Sequence, residues 1–194
     1  MTKITELYEL RWRTVYETNE DGERESSTED YDRLRPVKTV SVGIRFGYFL
    51  LDTVFFVIFL FLIGIAAALL ENLINTPIIS ALSETQMDWI SRLLIYPFYY
   101  LIFESLLQST PAKLIFGFYV IDEYAEKPTF AQLLGRSYGR IVPFNVFSCL
   151  SDNNGSGSRS WHDCWASTWV VSKEEKNNLA QMLAEKNAET FSEN

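Results

Sequence analysis

The sequence has little histidine and cysteine, the residues on which most metal centres and redox sites are built. It contains one histidine, His162, and two cysteines, Cys149 and Cys164. A structural metal site needs more ligands at closer spacing, and a disulfide persists only in an oxidising compartment. His162 is followed by Asp163, but no nucleophile motif accompanies this pair. We therefore expect no metal, no cofactor and no enzymatic activity, and we interpret His162 as a structural residue.

Basic residues are missing from a long central part of the chain. No Lys or Arg lies between Arg45 and Arg92, and Asp52 is the only charged residue in 46–70. As a helix, that stretch would reach about 37 Å, which is enough to cross a hydrocarbon core of about 30 Å. It begins too far along the chain and runs too long to be a signal-peptide core. The pattern predicts a membrane-spanning helix over about 42–70.

A second apolar segment, 89–107, would reach about 28 Å as a helix and contains Pro97, which we expect to kink it. The connection 71–88 holds no Lys or Arg, whereas basic residues flank the other ends of both segments. The positive-inside rule then places the connection outside and both termini in the cytoplasm. This predicts a multi-pass protein of the cell inner (plasma) membrane with free thiols. The aromatic residues in the outer half of this segment are predicted at the outer membrane interface: Trp89, Tyr96, Tyr99 and Tyr100.

The two ends of the chain are polar, and the net charge is −8. The acidic run 17–32 has almost no apolar residues, so it is predicted to be a mobile linker or exposed loop. Residues 2–16 fit a strand or a helix, and that alternative stays open. A capping-box pattern, Ser172 with Glu175, predicts a helix at the C-terminal end. Nothing in this composition indicates nucleic-acid binding.

The chain between the second span and the C-terminal helix is predicted to hold a short strand and an amphipathic helix. The strand lies in LIFGFYVID (114–122) and the helix in 130–150, where Arg136 and Arg140 share one face. The end of 130–150 is too short to cross a bilayer and fits an interfacial or re-entrant element. The predicted division of the chain is an acidic cytoplasmic extension, a membrane domain and a cytoplasmic C-terminal helix or tail: 1–40, 41–171 and 172–194.

Charged residues near the cytoplasmic side are predicted to form one polar cluster. Arg45 and Asp52 are seven positions apart and share a helix face, with Arg45 at the headgroups and Asp52 inside the hydrocarbon. An ionised carboxylate there costs about 2.5–3.5 kcal/mol on insertion scales, so it must face protein. The predicted pairs are Arg45 with Asp52 or Glu104, and Arg136 or Arg140 with Glu104 or Asp163. The predicted cluster contains seven residues: Arg45, Asp52, Glu104, Arg136, Arg140, His162 and Asp163.

The order of these residues resembles the RDD family of bacterial integral membrane proteins, which is named for an arginine and two aspartates. The family's Arg followed seven residues later by Asp is matched in RFGYFLLD by Arg45 and Asp52. Its later features are an acidic residue, a Thr-Pro-Gly-Lys turn with a strand, an arginine in the next helix and a His-Asp pair. They are matched by Glu104, by STPAKLIFGFYVID, by Arg136 or Arg140, and by His162-Asp163 in WHDCWASTWVV. The resemblance covers about 42–171, and Ala112 replaces the glycine of the turn.

The resemblance implies a helical membrane protein but no definite activity, since only a few members look like sodium/proton antiporters. One hypothesis is an integral membrane scaffold or assembly subunit, in which the charges are structural. The alternative is an oligomeric ion transporter that uses Asp52 and Glu104 as proton or cation sites. Two spans cannot enclose a pathway, so transport would require an oligomer. The charges crowd one leaflet, which favours the scaffold. The expected partners are the lipid bilayer and either further copies of the chain or other membrane subunits.

Overall fold

A computed structural model gives the fold over residues 1–18, 24–77, 79–142, 148 and 159–192. The chain is mainly helical, with a few short strands and two helices that are long and apolar enough to cross a membrane, as predicted. Along the described residues the elements are a 3-10 turn (Ile4–Glu6), β1 (Tyr8–Thr18), β2 (Arg24–Leu34), α1 (Val42–Ile74), α2 (Glu84–Ile90), a π-helical turn (Ser91–Ile95), α3 (Tyr96–Leu107), α4 (Pro111–Ile115), β3 (Phe118–Ile121), α5 (Phe130–Gly139), α6 (Trp161–Trp165), β4 (Trp169–Ser172) and α7 (Lys173–Ser192).

Helix α1 is the first membrane-capable helix. It begins after Ser41, whose backbone is extended, and ends at Asn75, which adopts the left-handed conformation. No residue in its most apolar 18-residue window is buried, and apart from the half-buried side that packs against α3 its side chains are exposed, as contact with lipid requires. Its buried residues lie nearer the start, at Arg45, Tyr48 and Asp52. Their spacing of three and four positions confirms that Arg45 and Asp52 share one face.

The second membrane-capable segment covers Glu84–Ile115. A π-helical turn lies immediately before Pro97, because proline lacks an N–H and its ring clashes with the preceding turn. Edge-to-face aromatic pairs hold α3 against α1, and the ring centroids of Phe56 and Tyr99 are 5.6 Å apart. Two of the tyrosines that were predicted at the outer interface, Tyr99 and Tyr100, are buried within the protein.

A small two-stranded sheet lies beyond the end of α3. Strands β3 and β4 pair antiparallel, and Thr39 forms a bridge to Val171 beside them. Thr110 caps α4, and Gly117, with a φ of 73°, makes the turn into β3. The strand predicted in 114–122 is therefore limited to β3, since the residues before Gly117 are helical.

Helix α5 is amphipathic, as predicted, but its basic side chain points into the protein. Arg136 and Leu133 are buried, whereas Phe130 is 65% exposed and Tyr138 is 46% exposed. The helix begins at a capping box in which Thr129 accepts from the backbone N–H of Gln132. Most of the predicted interfacial or re-entrant segment, 141–150, lies outside the described residues.

The amino-terminal region contains two long paired strands, so the prediction of a mobile linker or exposed loop over 17–32 is wrong for 17–18 and 24–32, while 19–23 lie outside the described residues. Strands β1 and β2 pair antiparallel from Tyr8 opposite Leu34 to Thr18 opposite Arg24, and this settles 8–16 as strand. The polar composition of β2 misled the prediction because both faces of the strand are exposed. Backbone pairing and cross-strand contacts such as Arg13 with Glu29, 3.1 Å apart, hold it in place.

Residues from both ends of the chain share one apolar core with the small sheet. The N-terminal residues Ile4, Leu7 and Val37 pack with residues of β3, β4 and α7. The remaining members of this core are Ile121, Ala125, Trp169, Val171, Leu179 and Leu183. The core fixes the sheet and α7 near the start of α1, which is where the buried charges lie.

Candidate functional site: a buried ion-pair network

Glu104 is the acceptor for three cations at the C-terminal end of α3. Its Oε1 lies 2.7 Å from Lys113 Nζ and 2.7 Å from Arg140 Nη2, and its Oε2 lies 3.1 Å from Arg136 Nε. The Glu104 side chain has no exposure to solvent. Lys113 is positioned by α4, and the two arginines by the end of α5. One carboxylate therefore joins three successive helices of the fold.

Asp163, in α6, is the second anionic centre. Arg45 Nη1 lies 2.9 Å from its Oδ2, and Arg136 Nη1 pairs with its Oδ1. His162 Nε2 lies 3.2 Å from the same Oδ1. Arg45 also donates to the carbonyl oxygen of Val40 at 3.1 Å. Asp163 thereby ties the start of α1 to α5 through α6.

Arg136 joins the two centres because its guanidinium contacts both Glu104 and Asp163 and donates to the Thr168 hydroxyl. The Arg136 side chain is fully buried. A planar guanidinium with several N–H donors suits such a bridging position, which a lysine could not fill. We refer to the joined set as the ion-pair network: Arg45, Glu104, Lys113, Arg136, Arg140 and Asp163.

Asp52 lies beside the network and is held mainly by neutral donors. The Thr110 hydroxyl donates to its Oδ2 at 2.6 Å, and the Ala112 N–H donates to its Oδ1 at 3.3 Å. The Tyr99 hydroxyl is 3.5 Å from Oδ1. Asp52 is buried and forms no ion pair with any residue that the structure describes. Its contacts fix the start of α4 against α1.

Aromatic rings cover part of the network. The Arg140 guanidinium lies 4.0 Å from the centroid of the Tyr100 ring, and Lys113 Nζ lies 5.6 Å from that of Tyr48. Both geometries are cation–π contacts, which are stronger where water is excluded. Tyr48 is buried on the same face of α1 as Arg45. The rings therefore add attraction for cations that burial would otherwise destabilise.

The groups outside the membrane-capable helices titrate as the burial and charges around them require. Burial alone would raise the pKa of Asp163, but Arg136, His162 and Arg45 hold that pKa well below its usual value. Burial lowers the pKa of His162 well below its usual value and outweighs the opposing effect of Asp163. Burial would lower the pKa of Arg140, but Glu104 reverses this and raises it. Asp163 is therefore an anion, and His162 a neutral donor, near neutral pH.

The site offers charge pairing and no recognisable metal chemistry. Among the described residues, no group of three or more His, Cys, Asp and Glu side chains is placed to hold a metal ion. An apolar cavity of about 350 Å³ lies among residues such as Ile63, Phe98 and Leu134, and no member of the ion-pair network lines it. The geometry can therefore fix elements together, and Asp52, beside the ion-pair network, forms no ion pair with a described residue.

Comparison with known protein families tests the resemblance to the RDD family that the order of the residues indicated. A model of the RDD family matches residues 39–167. The chain belongs to the RDD family. The match includes every residue of the ion-pair network and also Asp52 and His162, so the buried charges belong to the RDD part of the chain. Together with its two apolar helices, this identifies a membrane protein. No curated protein matches the chain, and no solved structure matches it either.

All seven sequence-predicted site residues of this RDD protein lie in or beside the network, although some of the partners differ. Arg45 pairs with Asp163, so its predicted pairing with Asp52 or Glu104 is wrong. Its side chain is 4% exposed and is therefore enclosed by protein. The predicted pairing of Arg136 and Arg140 with Glu104 is present.

The sequence reasoning missed Lys113, Thr110 and Thr168 as members of the site. The RDD turn STPAKL contains the first two, and the order Thr-Pro-x-Lys signals an N-cap followed by a lysine three positions later. That lysine lies nine residues after Glu104 and could have been named as its partner. Ala112 is helical and fully buried at the position where the family has glycine, so no left-handed conformation is needed there.

Proposed function

We propose that this RDD protein is an integral membrane scaffold or assembly subunit, without enzymatic activity, whose buried charges are structural. The observation that carries the proposal is Arg136, which pairs at once with Glu104 and Asp163. Breaking a buried pair by removing one partner costs about 3–5 kcal/mol. Charges held in this way suit a fixed junction between helices more than a site that must load and release an ion.

The proposed arrangement is a multi-pass protein of the inner membrane with both termini in the cytoplasm. The absence of Lys and Arg from 71–88 supports this orientation by the positive-inside rule. The ion-pair network would then hold the cytoplasmic helices α5 and α6 on the inner end of the helical hairpin formed by α1 and α3. Phe130 and Tyr138, exposed on α5, would lie at the inner membrane surface.

The proposed partners are the lipid bilayer and either a second copy of the chain or other membrane subunits. The support is the outer surface of α1, where large apolar side chains such as Phe61, 68% exposed, cover the sides that do not pack against α3. Lipid could cover these apolar side chains without a protein partner, so binding of a partner has to be tested directly.

Mild extraction from the membrane tests the scaffold. The protein is extracted in a gentle detergent or a lipid-retaining polymer, and the mass of the particle is measured by light scattering. The proposal expects a homo-oligomer or a complex of fixed composition. A monodisperse monomer under every mild condition contradicts it.

Asp52 supports a second candidate, an oligomeric cation or proton transporter. It lies in a membrane-capable helix with hydroxyl oxygens of Thr110 and Tyr99 nearby, and no ion pair to a described residue holds its charge. Hard oxygen groups of this kind suit sodium or a proton. The test is cation-dependent proton flux in proteoliposomes. Flux that Asp52→Asn abolishes, in a variant that stays folded, would favour the transporter over the scaffold.

A further inference from the structure

The amino-terminal β-hairpin has one apolar, aromatic face that is open to solvent. Alternate residues of a strand point to the same side of a sheet, so the even-numbered positions of β1 and their partners in β2 form one face. The large side chains on it are more than half exposed: Tyr8 53%, Leu10 65%, Trp12 70%, Tyr16 69% and Leu34 52%. We refer to these five residues as the aromatic face.

An exposed apolar face of this kind is typical of a surface that binds another molecule. A two-stranded hairpin alone is marginally stable in water, and exposed apolar patches with polar rims mark interaction sites. Trp and Tyr are also the side chains that contribute most often to binding energy at protein interfaces. At the base of the hairpin, Lys186 Nζ lies 5.3 Å from the centroid of the Tyr8 ring, so α7 anchors that end. Trp12 and Tyr16 extend beyond that anchored end.

Both faces of the hairpin carry charged residues. On the face opposite the aromatic one, Arg13 pairs with Glu29 at 3.1 Å and Arg11 pairs with Glu9 at 2.8 Å. On the aromatic face, Asp30 lies opposite Trp12 and Asp32 lies opposite Leu10, while Arg24 lies opposite Thr18 at the far end of the hairpin. Neither aspartate forms an ion pair with a residue in the described part of the chain. The aromatic face therefore presents two unpaired carboxylates beside apolar rings.

We propose that the aromatic face binds a partner protein through a basic, extended segment in which Lys or Arg alternates with apolar residues. The inference deepens the scaffold function and rests on it. Asp30 and Asp32 are two residues apart on one strand, about 6.8 Å, which is the spacing of alternate side chains on an added strand. Cations of that segment can pair with the carboxylates or lie over the Trp12 ring. Because successive residues of a strand point to opposite sides, the apolar residues of that segment would point away from the aromatic face.

The two carboxylates also distinguish this occupant from the other possibilities. A cytoplasmic membrane surface is anionic and would repel Asp30 and Asp32. A second copy of the chain would bring the same two aspartates to the contact, and like charges that face each other are unfavourable. A basic segment is the occupant whose charge complements this face.

Peptide binding to the full chain tests the proposal. The chain is placed in nanodiscs of neutral phosphatidylcholine and titrated into a dye-labelled peptide, Lys-Val-Lys-Val-Lys-Val-Lys, while fluorescence anisotropy is followed. We expect saturable binding that weakens about tenfold or more in Trp12→Ala and in the double variant Asp30→Asn/Asp32→Asn. Trp12→Phe, which keeps an aromatic ring, should retain most of the binding.

A matched control removes the same charge from the other face of the hairpin. Glu17 and Glu25 are paired across the strands on that face, and Glu17→Gln/Glu25→Gln should leave binding unchanged. A peptide of the same composition with its lysines and valines in separate blocks should bind more weakly. Equal losses in the two double variants, equal binding of both peptides, or no saturable binding would overturn the proposal.

Two further outcomes would assign the face to another occupant and overturn the proposal. One is Trp12-dependent binding to vesicles that contain phosphatidylserine, and the other is efficient cross-linking between copies of a Trp12→Cys variant. Failure of this proposal can be distinguished from failure of the scaffold function. If the extracted complex survives Trp12→Ala unchanged, this proposal fails and the scaffold stands. If the parent chain is a lone monomer, the scaffold itself fails.

Discussion

Arg45 Nη1 lies 2.9 Å from Asp163 Oδ2, and the two side chains are 4% and 0% exposed. The pair joins the first turn of α1 to the short helix α6, which is far along the chain. Arg45 is therefore buried within the protein, where it links α1 to α6. Because Asp163 is also paired with Arg136, the start of α1 is coupled directly to α5.

The Arg45–Asp163 contact should show a measurable coupling energy. In a double-mutant cycle with Arg45→Gln and Asp163→Asn, we expect the two losses of stability to be non-additive by about 0.5–3 kcal/mol, as for contacting residues. The measurement is unfolding of the detergent-solubilised protein. A cycle that pairs Arg92→Gln with Asp163→Asn serves as the control, since Arg92 is exposed. Additive losses in the Arg45 cycle would show that the contact contributes no stability.

The close approach of α5 to α6 should make Gly139 intolerant of a side chain. A Cβ at Gly139 would lie 2.9 Å from His162 Cβ and 3.3 Å from His162 Cα, whereas a Cβ at Gly135 would meet nothing within 4 Å. Gly139→Ala is expected to lower the midpoint of thermal unfolding, because overpacking costs about 1–3 kcal/mol. Gly135→Ala should be neutral or stabilising, because alanine favours helix. Equal midpoints for the two variants would contradict the packing.

Glu175 should hold α7 to the segment that leads into α1. Its carboxylate accepts from both terminal nitrogens of Arg35, at 2.8 and 2.9 Å, and from the backbone N–H of Lys38 at 3.1 Å. We expect Glu175→Gln to speed proteolysis and amide exchange within α7. Glu174→Gln, which removes an exposed neighbouring carboxylate, should change neither rate. Unaltered exchange in Glu175→Gln would contradict the contact.

His162 should make stability depend on pH in a narrow range. Its pKa is lowered in the folded protein, so the unfolded chain takes up a proton near pH 6.5 that the folded chain refuses. Stability is therefore greatest above about pH 6.5 and falls as the pH drops below it. His162 is the only histidine, so His162→Gln should flatten the profile between about pH 7 and 5. Identical slopes for the parent and His162→Gln would contradict this.

The sequence was informative wherever a local residue pattern is compatible with one kind of local structure. Twenty-five residues with a single charge predict a membrane-capable helix, and the spacing of Arg45 and Asp52 predicts a shared face. The family resemblance brought His162 and Asp163 into the same set, although they lie far from α1 along the chain. Local patterns sufficed for these features because they do not depend on what the chain packs against.

Pairing partners and the β-hairpin were beyond sequence reasoning for a different reason. Arg45 has three carboxylates within the predicted cluster, and only the position of α6 selects Asp163 among them. Strand β2 has both faces exposed, so it lacks the alternation that identifies a strand. Glu175 matches a capping box, yet its carboxylate binds Arg35. In each case, long-range contacts decide between options that are locally equivalent.

The most direct test of the structural role of the buried charges is amide hydrogen exchange in a Glu104→Gln variant. This change leaves Lys113, Arg136 and Arg140 facing a neutral group in a buried site. Exchange is measured in nanodiscs for α5, α6 and the sheet, with Glu84→Gln, an exposed carboxylate at the start of α2, as the control. The account predicts faster exchange in α5 and α6, while α1 keeps its protection and the control matches the parent. Unchanged exchange throughout Glu104→Gln would contradict the claim that the ion-pair network holds these helices on the membrane hairpin.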